Sequence, residues 1–156
     1  MTLAEQYEAL AALQNPGPTT GMPPVNLLDE IVPDLWLGGC IGGTRLPDDF
    51  RYVLSLTPQD EYALGPETER RSYYFDDGPD VPPGADLEDL AAWVNSRDGK
   101  TLVHCSGGRN RSGLVMALAL VRRGVPLDDA IALMREKRSA EVLWNTHFVD
   151  WLREHA

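Results

Sequence analysis

Cysteine is scarce in this chain, which has only two among its 156 residues, Cys40 and Cys105. One pair of cysteines does not build the disulfide framework on which small secreted domains depend. Because a free thiol persists in a reducing compartment, the cysteine content predicts a cytoplasmic protein. The sequence also has no apolar run long enough to cross a membrane, and it does not begin with the basic and then apolar order of a signal peptide. We therefore expect no membrane partner.

Positively charged residues are also few in this chain. Lysine and arginine total 14 against 24 aspartates and glutamates, which gives a formal net charge of −10. Proteins that bind along nucleic acid or an anionic membrane surface need a basic face, so we expect neither partner. Any attraction for an anionic substrate has to come from a few local groups. The three histidines, His104, His147 and His155, do not share the spacing of metal ligands, and no metal or other cofactor is predicted.

The length and a hydrophobic content of 43% fit one folded domain with a sizeable core. Residues 1–24 combine a helical pattern at 2–14 with a linker rich in proline and glycine. We expect this N-terminal segment to precede a single domain over residues 25–156.

Short apolar runs alternate with helical patterns through the predicted domain. Strands are predicted at 36–38, 52–56, 72–75 and 101–104, and helices at 85–97, 111–123, 127–137 and 144–154. This order predicts an α/β fold with a central, mostly parallel sheet of about four to five strands flanked by helices. Functional loops of such folds lie at the carboxyl ends of the strands.

The most informative segment is 104–113, which reads His-Cys-Ser-Gly-Gly-Arg-Asn-Arg-Ser-Gly. An apolar run leads into it and a helical pattern follows, so it joins a strand to the N-terminus of a helix through a tight loop. Such a loop aims successive N–H groups at one centre and is a ready site for a phosphate dianion. The residues expected to bind the substrate phosphate are Ser106, Gly107, Gly108, Arg109, Asn110 and Arg111.

Four side chains of this segment carry predicted roles. Cys105 stands where it can act as a nucleophile, since a helix N-terminus and neighbouring cations favour a thiolate. Arg111 can hold two phosphate oxygens with its planar fork. Ser112 can donate a hydrogen bond to the sulfur when the thiolate has to leave, and His104 is expected to orient the loop. A buried cysteine after a strand is usually inert packing, but the ten residues taken together favour the functional interpretation.

A phosphomonoester cleaved by a thiolate also needs a proton for its leaving oxygen. The loop at 76–84 is the best source, because it follows a predicted strand and holds the three aspartates Asp76, Asp77 and Asp80. Spacing alone does not rank them, and aspartates are common in turns for structural reasons.

The segment 104–113 is similar to the His-Cys-x5-Arg-Ser/Thr-Gly signature of cysteine-based protein phosphatases of the dual-specificity type. Residues 31–38, Ile-Val-Pro-Asp-Leu-Trp-Leu-Gly, resemble the opening motif of that family, and residues 145–148 resemble its closing Asn-x-x-Phe motif. Residues 75–78, Phe-Asp-Asp-Gly, with the later prolines at 82–83, resemble the acid loop of phosphatases of regenerating liver and of the tensin-homologue lipid phosphatase.

The resemblance implies a dual-specificity phosphatase fold and a two-step, metal-free reaction through a cysteinyl-phosphate. It assigns the general acid to Asp77, with Asp76 and Asp80 as alternatives. The expected substrate is a phosphorylated protein, at phosphotyrosine or at phosphoserine and phosphothreonine, or a small phosphomonoester.

Two other functions remain open from the sequence. The lipid phosphatase has two lysines in its loop where this chain has Ser106 and Arg109, so one basic residue remains for a phosphoinositide or an inositol phosphate. A phosphate-binding pseudophosphatase module is the other alternative, and the presence of Cys105, Arg111 and Ser112 argues against it.

Overall fold

A computed structural model describes residues 28–39, 49–58 and 63–156. The predicted N-terminal segment 1–24, the start of the predicted domain and Cys40 lie outside these residues. The boundary between segment and domain therefore stays a prediction.

The described residues form one sheet of five strands, in the order β1-β2-β5-β3-β4. Strands β1 and β2 pair antiparallel, and the other three pairings are parallel, which confirms the predicted α/β fold. The strands are β1 (Leu28–Val32), β2 (Leu35–Gly39), β3 (Tyr52–Ser55), β4 (Glu69–Ser72) and β5 (Thr101–Cys105).

Both edges of the sheet differ from the sequence prediction. Strand β1 was not predicted, since two acidic residues interrupt its sequence and leave no clear apolar run. The strand predicted at 72–75 was wrong, because β4 is the charged run Glu69–Ser72, whose side chains are largely exposed at the edge. The apolar residues that suggested it, Tyr73 and Phe75, follow β4 and pack on the core.

Four helices cover this sheet within the described residues. They are α1 (Gly84–Asn95), α2 (Arg111–Arg122), α3 (Leu127–Lys137) and α4 (Thr146–His155), each within two residues of its predicted bounds. Helix α2 is the central one, with its residues from Ser112 to Leu120 all buried. It contacts the other three helices and strands β2 and β5. No helix in the described part of the chain is both long and apolar enough to span a bilayer.

Strand β5 positions the functional loop. All five of its residues are buried, and it lies between β2 and β3 in the middle of the sheet. Because the strands around it are parallel, their carboxyl ends meet at one edge, and the chain leaves β5 at the centre of that edge. The loop from β5 to α2 therefore begins between the ends of β2 and β3.

Candidate active site

Cys105 lies at the base of the loop, at the end of β5, and is 2% exposed. Its Sγ accepts a hydrogen bond from the N–H of Gly108 at 3.2 Å. The Oγ of Ser112, in the first turn of α2, lies 3.2 Å from the same sulfur. The loop thus curls around the sulfur, as its sequence predicted, and it brings Cys105, Gly108 and Ser112 into contact.

Gly108 is the position where the curl requires glycine. Its φ is +67°, in the left-handed region that side chains disfavour. A Cβ there would stand 2.5 Å from the carbonyl carbon of Gly38 and 2.5 Å from the nitrogen of Gly39. Any larger residue would therefore push the loop away from strand β2. By contrast, a Cβ at Gly107 would meet open space.

The N-terminus of α2 has no side-chain cap. Asn110 is the residue that precedes the helix, yet its side chain makes no capping hydrogen bond. The helix N-terminus therefore retains its partial positive charge and its donors toward the loop. Arg111, the first helical residue, is half-buried and donates from one terminal nitrogen to the carbonyl of Phe75 at 3.3 Å. Its Nε is buried without a hydrogen-bond partner among the described residues.

The remaining predicted residues lie around this centre. His104 is fully buried on β5, and its carbonyl accepts the N–H of Leu56 at 3.0 Å. Arg109 is half-buried, and its carbonyl accepts the N–H of Leu143 at 3.1 Å. Ser106 is half-buried in the loop beside Cys105.

The structure distinguishes Asp77 from its neighbours. One oxygen of its carboxylate accepts the Nδ2–H of Asn110 at 2.9 Å, and the other accepts the Nδ2–H of Asn145 at 2.9 Å. All three aspartates are exposed, but neither Asp76 nor Asp80 hydrogen-bonds to the cysteine loop in the described structure. Among the three candidates, Asp77 alone is hydrogen-bonded to a residue of the cysteine loop.

The segment that follows strand β4 and leads into this acid loop is anchored to helix α1. Tyr73 donates its hydroxyl to Asp86 at 2.7 Å. That hydrogen bond, with burial as the second cause, raises the pKa of Tyr73 to about 12. The hydroxyl therefore stays protonated throughout the neutral range and holds the entry to the acid loop in place.

The family of the chain follows from a comparison of its sequence with known families. The family described as "Dual specificity phosphatase, catalytic domain" matches residues 48–156. The chain belongs to this dual specificity phosphatase family. The match includes the cysteine loop and the acid loop, and it confirms the resemblance predicted from the motifs. It assigns the chain to the cysteine-dependent protein phosphatases.

Relatives of known sequence support the same family over a shorter stretch. "Protein tyrosine phosphatase type IVA 3" of Mus musculus is 37% identical over 73 residues, which cover 44% of this chain and 42% of the relative. The protein of the same name from Homo sapiens is 36% identical over the same coverage. The aligned segment therefore spans less than half the length of these relatives.

Solved structures of other phosphatases share the fold. A mouse putative dual specificity phosphatase, complexed with zinc tungstate, has a TM-score of 0.68 and 21% identity and covers 88% of this chain and 90% of its own. Human DUSP28 has a TM-score of 0.70 and 22% identity, with coverages of 85% and 93%. PTPMT1 in complex with PI(5)P has a TM-score of 0.58 and 15% identity, with coverages of 84% and 100%.

Asn145 also contacts this site, although the sequence placed it only in the closing motif and gave it no role. Its Oδ1 accepts the N–H of His147 at 3.0 Å and so caps helix α4, while its Nδ2 donates to Asp77 and to the carbonyl of Gly78 at 3.0 Å. Its own N–H donates to Oδ1 of Asn110 at 2.9 Å. The signal was present in the closing Asn-x-x-Phe motif, which was treated as a family marker rather than as a part of the site.

The side chain of Asn110 has a second contact set, away from the cysteine. The residue is 2% exposed, and its side chain turns toward Asp77 and Asn145, so the predicted binding of a substrate phosphate rests on its backbone N–H. The backbone of Asn110 remains in the loop, while its amide group links that loop to the acid loop and to the start of α4.

Proposed function

We propose that the chain hydrolyses phosphomonoesters through a cysteinyl-phosphate intermediate, with phosphotyrosine, phosphoserine or phosphothreonine in proteins as its substrates. One observation carries the proposal: the buried Cys105 sulfur accepts the N–H of Gly108 and contacts Ser112 inside a loop that ends at a helix N-terminus. A cysteine kept for packing alone does not need a backbone N–H and a serine hydroxyl at its sulfur.

In the first step, the Cys105 thiolate attacks phosphorus in line with the leaving oxygen. The N–H groups of residues 106–111 and the guanidinium of Arg111 hold the three equatorial oxygens. These donors are fixed before the substrate arrives, so they stabilise the transition-state charge without reorganising. Arg111 and the loop amides supply the positive field that a metal ion supplies in other phosphoryl-transfer enzymes, and the proposed reaction needs no metal.

Asp77 supplies the proton in this scheme. The S–P bond forms as the P–O bond breaks, and the Asp77 carboxylic acid gives its proton to the departing oxygen. The resulting carboxylate then takes a proton from water, whose oxygen attacks the cysteinyl-phosphate and releases phosphate and the thiolate. The amides of Asn110 and Asn145 each use one lone pair of the Asp77 oxygens, which leaves a second lone pair on each oxygen for the transferred proton.

The substrate class rests on the loop and on the relatives. The loop carries one arginine, Arg109, beyond Arg111, and the chain has a net charge of −10. This charge balance favours an ester with a single phosphate over a polyphosphorylated headgroup. The relatives of 36–37% identity are tyrosine phosphatases by name. PTPMT1, which shares the fold, was solved in complex with PI(5)P, so a phosphoinositide is the second candidate substrate.

Rates with four substrates in the presence of EDTA test the proposal. We expect phosphotyrosine and phosphothreonine peptides to be hydrolysed faster than a phosphoinositide and an inositol polyphosphate, at rates that EDTA does not change. A preference for the phosphoinositide would establish the second candidate instead. Activity that disappears with EDTA and returns only with a metal would refute the metal-free scheme.

Ser112→Ala should slow the second step more than the first. The serine hydroxyl is the side-chain group beside the sulfur, so its loss removes a hydrogen bond to the departing thiolate, worth about 1.5–3 kcal/mol, or roughly 10–100-fold in rate. Rapid mixing with para-nitrophenyl phosphate should show a burst of nitrophenol, and mass spectrometry should detect the phosphorylated enzyme. Ser96→Ala, which removes an exposed hydroxyl bonded to the Trp93 carbonyl, is the matched control. A Ser112→Ala enzyme without a burst and without slower turnover would contradict this role.

A further inference from the structure

We propose that Arg138 and Asp29 form a brace behind the phosphate-binding loop, and that this brace positions the loop N–H groups toward Cys105. Neither residue touches the substrate in this proposal, so both are positioning residues. The inference deepens the proposed function, since it assumes that the loop is where phosphate binds.

Arg138 is the residue that follows helix α3, and its side chain is completely buried. Its guanidinium donates to three acceptors: Nε to the carbonyl of Gly108 at 2.5 Å, one terminal nitrogen to the carbonyl of Gly107 at 3.1 Å, and the other to Asp29 at 2.9 Å. Two consecutive loop carbonyls are thus bound to one rigid, planar group.

These contacts fix the direction of the N–H groups on the other side of the loop. In a trans peptide unit, the C=O and the N–H point in opposite directions. The carbonyl of Gly107 and the N–H of Gly108 belong to one such unit. Arg138 binds that carbonyl on the outside, and Cys105 receives that N–H on the inside. The carbonyl of Gly108 and the N–H of Arg109 belong to the next peptide unit. Because Arg138 binds that carbonyl on the outside, the N–H of Arg109 points toward the interior of the loop.

The fit between Arg138 and the loop also explains part of the glycine requirement. A Cβ at Gly108 would collide with a terminal nitrogen of Arg138 as well as with the backbone of Gly38 and Gly39. The guanidinium therefore occupies the space that a side chain at 108 would need. Strand β2 and Arg138 hold the loop from the same side.

Asp29 anchors the brace to the edge of the sheet. It lies on β1, 109 positions before Arg138 in the sequence, and its side chain is 16% exposed. Burial lowers the pKa of Arg138, and the negative charges of Asp29 and of a Cys105 thiolate raise it. A buried guanidinium needs such a partner, because an unpaired charge inside a protein is strongly destabilising. The same attraction places a fixed positive charge near the nucleophile.

Alkylation of Cys105 by iodoacetamide tests the brace in the full-length chain. The rate is followed by mass spectrometry of the Cys105 peptide as a function of pH, with and without inorganic phosphate. For Arg138→Met we expect alkylation at about pH 6 to be roughly tenfold slower and protection by phosphate to need about tenfold more phosphate. Asp29→Asn should show both effects to a smaller extent. Arg138→Lys keeps the charge but not the planar fork, so it should stay several-fold below the wild type.

Arg122→Met is the matched control. It removes an arginine that makes two hydrogen bonds to Glu88 at the far end of α2, away from the loop. We expect its alkylation to match the wild type. Arg109, Arg111 and Asp77 are unchanged in every variant, so their charges do not contribute to the differences.

Two results would overturn the inference. Wild-type alkylation and wild-type phosphate protection in both Arg138→Met and Asp29→Asn would show that the brace does not position the loop. Full recovery in Arg138→Lys would show that charge alone matters. If circular dichroism finds Arg138→Met unfolded, the lysine and Asp29→Asn variants decide the question. Because alkylation is measured without turnover, an enzyme with these effects but no phosphatase activity would refute the proposed function and leave the brace standing.

Discussion

Cys105→Ser should lower the hydrolysis of para-nitrophenyl phosphate by about 10⁴-fold or more, while the protein still binds phosphopeptide. A serine hydroxyl stays protonated at neutral pH, and the described hydrogen-bond partners of the sulfur, the Gly108 N–H and the Ser112 Oγ, include no histidine base of the kind that activates serine in hydrolases. His104 is buried and precedes the cysteine on β5, so its side chain points to the opposite face of the sheet. The variant therefore loses its nucleophile and keeps the hydrogen-bond donors proposed to bind the phosphate.

The loop itself should tolerate this change. Serine differs from cysteine by one atom, and its Oγ can still accept the N–H of Gly108 and contact Ser112. Thermal unfolding and calorimetric titration with a phosphopeptide provide the controls for folding and binding. Residual turnover near the wild-type rate would refute covalent catalysis by Cys105, and loss of binding together with turnover would show that the substitution had damaged the loop.

Asp77→Asn should lower the rate by about 10²–10⁴-fold for a substrate with a poor leaving group such as phenyl phosphate. The rate with para-nitrophenyl phosphate should fall much less, since its leaving group departs without a proton. The ratio of the two rates is the measurement that identifies a general acid, because a merely structural defect would slow both substrates alike.

Two features of the structure sharpen this experiment. The amide oxygen of an asparagine at 77 can accept a hydrogen bond from only one of Asn110 and Asn145. Its NH₂ group then faces the NH₂ group of the other, and two donors cannot bond to each other. Asp77→Ala should therefore be measured beside Asp77→Asn. Asp76→Asn and Asp80→Asn are the matched controls, since both aspartates are exposed in the same loop. If Asp80→Asn alone shows the leaving-group effect, the acid is Asp80 and the assignment to Asp77 is wrong.

The sequence predicts most reliably what is local. Strand β5, the loop and helix α2 follow one another without interruption, so the segment 101–123 indicated the whole centre of the site. The sheet edges were predicted poorly, because β1 and β4 carry charged side chains and are strands only through their neighbours. The spacing of the three aspartates does not rank them as candidates for the general acid. The resemblance to known phosphatases selects Asp77.

The residues that were missed act over long sequence distances. Arg138 stands in the run Arg-Glu-Lys-Arg, where a sequence indicates only an exposed helix end with basic residues. Its burial depends on the approach of α3 to β1, a contact that no local pattern encodes. Asn145 was visible as a motif residue, yet its contact with Asp77 spans 68 positions and needs the folded sheet to form.

The side-chain amide of Asn145 links two parts of the molecule that are far apart in the chain. Its oxygen caps helix α4 and its nitrogen holds Asp77. If the acid loop swings away and takes this amide with it, the helix loses a cap worth about 1 kcal/mol. In that case the chemical shift and solvent exchange of the His147 N–H, at the start of α4, would report the displacement of the acid loop.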